Sequence, residues 1–235
     1  MTSKILMGII VWLAMCLWKR GGCFLTIWPT SAVRLQVFIQ GPEKGVIDGL
    51  ERKGIVFPNQ VRGHWNAAAP LQLVVSDMTI LKVGTTYWEW TIPLDTFNNE
   101  ILAHSVTSQR GSNKPYYHCL EQLKKLMDKR EEQTSQVILH TGQGAVYSSR
   151  AFCQAHHNDN ILRSMSRGGT PTDNPIIEAL NGWMKEELYL DFDLAHTNDV
   201  PALLDDDVHF FNRHRPAAAL GYKSPLQYRT EQGFP

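Results

Sequence analysis

Asp77 stands inside an apolar run, Leu71-Gln-Leu-Val-Val-Ser-Asp-Met-Thr-Ile80. A carboxylate buried in such a run is costly unless it is paired or bound to a metal ion. Taken alone, it reads first as a turn or strand-end aspartate. A second carboxylate, Glu178, stands at the start of a helix. Asn174 is a good N-cap, and Pro175 fits the first helical position, where its missing N–H costs nothing. Ile177, Leu180, Met184 and Leu188 recur at helical spacing and predict a core-facing stripe. Glu178, Asn181, Gly182 and Lys185 fall on another face. A carboxylate with a cation two turns along the same side suits a metal ion held near a phosphate backbone.

Several elements must position these groups. Residues 71–80 predict a buried strand, and Gly84 turns the chain into a second one, residues 85–94, rich in aromatic and β-branched side chains. A third is expected over residues 100–106, and three strands on short loops predict an antiparallel meander. Asp95 reads as a turn residue. After Pro115 an amphipathic helix is expected, with Tyr116, Leu120, Leu123 and Met127 on one stripe and Lys124, Lys125 and Lys129 on a solvated face. Residues 136–139 predict a further short strand. Ser164 begins a loop in this reading, with Gly168, Gly169 and Pro171 blocking regular structure. A helix is expected over residues 200–213, capped by Asn198, with Leu203, Leu204, Val208 and Phe211 inward. Asp205-Asp-Asp207 reads as a solvated face.

Order and spacing carry a resemblance. Ser164-Met-Ser-Arg, then Asp173-Asn-Pro-Ile-Ile-Glu178, then Lys185-Glu-Glu187 resembles the closing motif of the Asp-Asp-Glu transposases of bacterial insertion sequences. These share an integrase core of ribonuclease-H-like fold. Ser76-Asp-Met-Thr79 resembles their first catalytic motif, Leu94-Asp-Thr-Phe-Asn98 their link into the third strand, and Phe210 to Tyr228 their closing tail. His140-Thr-Gly-Gln-Gly-Ala-Val-Tyr147 resembles the motif that carries the second catalytic aspartate, except that Gly142 stands in the aspartate's place. Thirty-five residues separate Gly142 from Glu178, the separation usual in the family. The resemblance covers about residues 71–230. It implies an α/β fold, a ribonuclease-H-like mixed sheet of about five strands with helices on both faces.

The same resemblance implies Asp77 and Glu178 as catalytic residues and ligands of Mg²⁺ or Mn²⁺. It implies DNA, as transposon ends and target, and further copies of the chain or an intact transposase as partners. Hard cations take oxygen ligands and a few carboxylates. Glycine offers no side-chain ligand, Thr141 is a weaker donor that points elsewhere if it follows the strand, and imidazole from His140 suits Mg²⁺ poorly. The expectation is therefore a transposase that is strongly impaired. The alternatives are an inactive DNA-binding or transposase-partnering remnant and a degenerate product without a role. Arg213, His214 and Arg215 are candidate phosphate contacts or else pack the terminal helix on the core. Arg163, Arg167 and Lys185 are similar candidates.

Composition sets the remaining bounds. The 235 residues suffice for one good-sized core plus a small appendage. Apolar and charged fractions are ordinary for a soluble protein, and a net charge of zero gives no compositional sign of nucleic-acid binding. Cys16, Cys23, Cys119 and Cys153 form no C-x-x-C pair, which fits a reducing, cytoplasmic location. Residues 1–70 are expected to be a degenerate or truncated N-terminal region and linker, with a short helix near residues 45–54, and residues 71–235 an integrase-like core with a C-terminal helix and tail. The apolar residues 5–18 are too few to span a bilayer, so no membrane partner is expected.

Overall fold

A computed structural model describes residues 54–129 and 136–235. The expectations for residues 5–18 and for most of the helix near residues 45–54 lie outside the described residues. Five strands, β1 (Leu73–Val83), β2 (Thr86–Asp95), β3 (Ser105–Thr107), β4 (Val137–Thr141) and β5 (Ile161–Met165), form one sheet in the order β3-β2-β1-β4-β5. β1 pairs antiparallel with β2, and β2 with β3, as the meander required. β1 pairs parallel with β4, and β4 with β5. Helices α1 (Lys114–Asp128) and α2 (Arg150–Gln154) lie on one face. Helices α3 (Pro175–Leu190) and α4 (Val200–Arg213) lie on the other, and α5 (Pro225–Glu231) closes the chain.

The two faces follow from strand alternation. Val74 on β1 and Val137 and Leu139 on β4 pack against Tyr116, Leu120 and Leu123 of α1 and Phe152 of α2. Val75 on β1 and Ile92 and Leu94 on β2 pack against the α3 stripe of Ile177, Leu180, Met184 and Leu188. That stripe is buried throughout, and each such side chain stabilises the fold by about 1.5–3 kcal/mol through burial. The α4 residues Leu204, Val208 and Phe211 close the same cluster, while Leu203 packs at its margin.

Several expectations need correction. Ser164 and Met165 end strand β5 rather than opening a loop. The third strand is only three residues long. Ile101 makes an isolated bridge to Leu94, and its N–H and C=O are taken by the side-chain amide of Asn212 on α4, at 2.9 and 2.8 Å, which satisfies the backbone without a longer ladder. The cap of α4 is Asp199, whose carboxylate accepts the Ala202 N–H at 3.0 Å, not Asn198. Asn174 precedes α3 as expected, but its side chain makes no capping bond. Lys124 is not simply solvated: its ammonium donates to Ala155 O at 2.6 Å and pairs with Asp159 at 2.7 Å. Asp205 and Asp206 are exposed, but Asp207 is buried at 1%. Asp95 accepts the N–H groups of Leu71 and Phe97, consistent with a turn role.

The segment before β1 lies against the core. Ile55 N–H donates to Ser148 O at 2.7 Å, Gln60 N–H to Ser164 Oγ at 2.9 Å, and Val61 is buried. Beyond Ser76, β1 leaves β4 and runs on beside β2 alone. Tyr189 of α3 closes part of that open edge. Its hydroxyl accepts from Lys82 N at 2.7 Å and donates to Lys82 O at 2.8 Å. Tyr189→Phe is expected to lower stability by about 1 kcal/mol in denaturant unfolding. An unchanged midpoint would mean that water replaces both bonds without cost.

Candidate active site

The last rung between β1 and β4 pairs Ser76 with Thr141. Asp77 and Gly142 directly follow that rung, outside the β1–β4 pairing, and alternation along β1 points Asp77 at the α3 face. Thr141 points the other way, as expected. Its hydroxyl accepts from Arg163 Nη2 at 3.0 Å and donates to Gly142 O at 3.1 Å. Glu178 lies in the first turn of α3, and that helix packs across β1.

Electrostatics tie the groups together. Burial pushes the Asp77 carboxyl up to about 6. The Met78 N–H counters that rise, the Glu178 charge adds to it, and the Lys185 ammonium counters it again. Asp77 therefore senses both the Glu178 and the Lys185 charge. Asn181 joins them, with Nδ2 lying 3.5 Å from Asp77 Oδ2. The sequence placed Asn181 on the Glu178 face without giving it a role. Its position three residues after Glu178 was the available signal.

His140 ties the surrounding backbone together. It is fully buried, with Nε2 3.0 Å from Asp173 O, so that nitrogen carries the proton. Nδ1 lies 2.8 Å from Ser164 Oγ and Ser166 Oγ is 3.1 Å from Nε2, while Trp65 meets the ring edge-on at 5.4 Å. Burial lowers its pKa, which keeps it neutral. One side chain thus joins the end of β4, the end of β5 and the turn before α3. Both ring nitrogens are engaged, so His140 is not a spare metal ligand.

The donor set can be tested against a divalent cation. Glu178 lies close enough to Asp77 for its charge to raise the Asp77 pKa, so two carboxylates share one neighbourhood. Among the described residues, no group of three His, Cys, Asp or Glu side chains is placed to hold a metal. Gly142 leaves space: a Cβ built there meets no heavy atom within 4 Å, and its backbone lies outside the left-handed region. The fold does not require glycine at this point. Asp77 and Glu178 are oxygen donors of the kind Mg²⁺ or Mn²⁺ takes, but no third such side chain joins them among the described residues.

The six candidate DNA contacts divide sharply. Arg213 and His214 are exposed at the end of α4, and Lys185 is half-buried beside Asp77. Arg167 is exposed and forks onto Asp173 at 2.8 and 2.9 Å, holding that carboxyl well below the usual range. Arg163 is 4% exposed. Its guanidinium lies between the Phe57 and Phe152 rings, 5.3 and 5.2 Å from their centroids, and donates to Thr141. Arg215 is 7% exposed, pairs with Glu187 and stacks 4.1 Å from the Trp183 ring centroid. Arg163 and Arg215 are therefore corrected from phosphate contacts to internal ones, because a guanidinium enclosed by rings and partners cannot also meet DNA. Arg163→Ala is expected to cost about 2–4 kcal/mol of stability in denaturant unfolding, through lost packing and hydrogen bonds. A loss below about 0.5 kcal/mol would mean that Arg163 is dispensable to the fold.

The comparisons agree with this architecture. The "Integrase core domain" family model matches residues 160–225, from the start of β5 to the start of α5. The transposase for insertion sequence element IS904 of Lactococcus lactis subsp. lactis (strain IL1403) is 29% identical over 180 residues, covering 73% of this chain and 66% of that protein. The protein assigned as transposase InsK of IS150 in Escherichia coli (strain K12) is 24% identical over 182 residues, covering 77% of this chain and 62% of that protein. The chain thus spans about two thirds of the length of these curated relatives. The simian T-cell lymphotropic virus intasome, solved in complex with the PP2A regulatory subunit B56 gamma, contains a chain of like fold. Its TM-score is 0.59 at 18% identity, over 75% of this chain and 58% of that one. The catalytic core domain of HTLV-2 integrase, solved in a dimeric form with magnesium, gives 0.53 at 16% identity, over 69% of this chain and 98% of that one. The mixed five-stranded sheet and these similarities converge on the ribonuclease-H-like integrase-core fold, and over most of its described length the chain is similar to insertion-sequence transposases.

Proposed function

We propose that this chain is a transposase/integrase-type protein of DNA recombination whose strand-cleavage and strand-transfer site is impaired at position 142. The observation that carries this reading is that Gly142 follows the last β1–β4 rung, as Asp77 does, and that a Cβ built there meets no heavy atom within 4 Å. Asp77 and Glu178 would hold the metal, Asn181 orients the Asp77 carboxylate, and Lys185 adds positive charge for a phosphate. A divalent ion held there would supply activation of the attacking oxygen or stabilisation of the leaving one. With two carboxylates, it would be held weakly. DNA is the partner, with Arg213 and His214 as exposed contacts, alongside further copies of the chain or an intact relative in the cytoplasm. Among the described residues, no helix is long and apolar enough to cross a membrane.

A second reading, an inactive DNA-binding or transposase-partnering protein, is favoured by the same missing carboxylate. Calorimetric titration of Mn²⁺ into the full chain, beside its Glu178→Gln variant, separates the two. Weak binding that the variant abolishes supports the impaired enzyme. No binding in either, with DNA affinity kept, favours the second reading. Equal binding in both would refute the pairing of Asp77 with Glu178.

A further inference from the structure

The tip of the β1–β2 hairpin and the loop joining β3 to α1 form a surface that the carboxylate site does not use. Neither residues 78–88 nor residues 101–120 contain an aspartate or glutamate, in a chain whose net charge is zero. Lys82, Arg110 and Lys114 are exposed there. Lys82 and Tyr87 face each other across the hairpin. Two cations gather on that one ring: Lys82 Nζ lies 5.9 Å and the Arg110 guanidinium 5.5 Å from the Tyr87 centroid. None of the three cations is ion-paired among the described residues. Tyr87 itself is 43% exposed.

Among the described residues, two acids that contact these loops are already engaged. Glu89 is buried beneath the loop, where it accepts the Gly111 N–H at 2.9 Å, and Asp205 of α4 pairs with His104 at 2.9 Å. Strand alternation puts Lys82 on the sheet face opposite Asp77, so this patch is separate from the carboxylate site. Like charges gathered at a surface repel one another, and an anion between them relieves that cost. The loop also offers hydroxyls. Thr107 and Ser112 each accept a backbone N–H, from Gln109 and Lys114, which leaves their protons for an outside acceptor.

We propose that this surface is a second DNA-contacting patch, which grips the phosphodiester backbone of duplex DNA through Lys82, Arg110 and Lys114 without reading its sequence. The proposal rests on DNA being the partner. Its function is to hold a stretch of duplex on the far side of the hairpin from the strand at Asp77. Tyr87 keeps the first two cations together, since a cation over a tyrosine face is attracted by the ring.

The test is fluorescence anisotropy of a duplex of arbitrary sequence, titrated with the full chain between 50 and 200 mM salt. The variant carrying Lys82→Gln, Arg110→Gln and Lys114→Gln is expected to lose about 0.9 per contact from the slope of log affinity against log salt, about 2.7 in all, with its melting temperature unchanged. A control, Lys125→Gln with Lys129→Gln on α1, is expected to keep the wild-type slope. If the triple variant does not fold, Arg110→Gln alone must lower the slope by about 0.9. A triple variant with the wild-type slope, or a control that loses as much, overturns the patch and leaves the DNA reading intact. A wild-type chain that shows no salt-dependent binding overturns both.

Discussion

Gly142→Asp is expected to raise Mn²⁺ affinity at least tenfold and to restore metal-dependent joining of DNA ends. The new Cβ would meet no heavy atom within 4 Å on ordinary backbone, at a position that follows the last β1–β4 rung as Asp77 does. A carboxylate about 4 Å from a cation gains on the order of 4 kcal/mol per unit charge at an effective dielectric near 20. Half of that survives desolvation in a conservative reckoning, and about 2 kcal/mol is roughly a 30-fold gain in affinity. The same change carries a cost without metal. A third carboxylate would crowd Asp77, whose pKa already rises through burial and the Glu178 charge. The metal-free variant should therefore melt below the parent, and with Mn²⁺ it should melt above it. Calorimetry and thermal melting with and without Mn²⁺ read both signs. An unmodified chain that binds metal and joins ends as well as the variant would show that another residue has replaced the missing carboxylate.

Asp207→Asn is expected to stabilise the protein, increasingly so as pH rises. Asp207 on α4 is 1% exposed and lies near Glu187 of α3 and Arg215, themselves almost wholly buried. Two carboxyls thus share one guanidinium, which pairs with Glu187 and stacks on Trp183. Among the described residues, Glu187 Oε2 and Asp207 Oδ2 have no hydrogen-bond partner. Burial first, and then the Glu187 charge, push Asp207 up to about 8, with Arg215 opposing. Burial raises Glu187 as well, against the pull of Arg215 and with a further push from Asp191. An unfolded aspartate titrates near 3.9. Between about pH 4 and 8 the folded chain therefore holds a proton that the unfolded chain has released. The stability linked to Asp207 is full below about pH 4, falls across that window and is flat above it. Asparagine keeps the shape and cannot ionise. The variant should match the wild type near pH 4 and exceed it by about 1–3 kcal/mol at pH 8. Denaturant unfolding at pH 4, 6 and 8 measures the difference. A difference that does not grow with pH would mean that Asp207 is not protonated in the fold.

Much of the fold and part of the site could be read along the chain. The apolar run around Asp77, the turn at Gly84 and the i, i+3, i+4 stripe of α3 are local patterns, and local periodicity reports which face an element buries. The spacing from Gly142 to Glu178 placed those two positions in one frame. β5 was not legible, because its five residues follow a polar turn and include Arg163 and Ser164, which do not alternate like a half-buried strand. The third strand was overestimated because nothing local reveals that the amide of Asn212, 111 residues away, satisfies Ile101.

The sequence by itself determined most of the elements, their order and the absence of a carboxylate at position 142. Only the tertiary structure decided what surrounds each charge. Arg213 and Arg215 stand two residues apart, yet one reaches solvent and the other stacks on Trp183 beside Glu187. Asp206 and Asp207 are neighbours, yet only the second is buried with an acid and a cation. Whether Gly142 was demanded by crowding or left open also lay beyond the chain, since the answer is space not filled by distant residues. The physical reason is common to all three. Backbone pattern is set by near neighbours, whereas burial, pairing and free volume depend on groups that the chain brings together only when it folds.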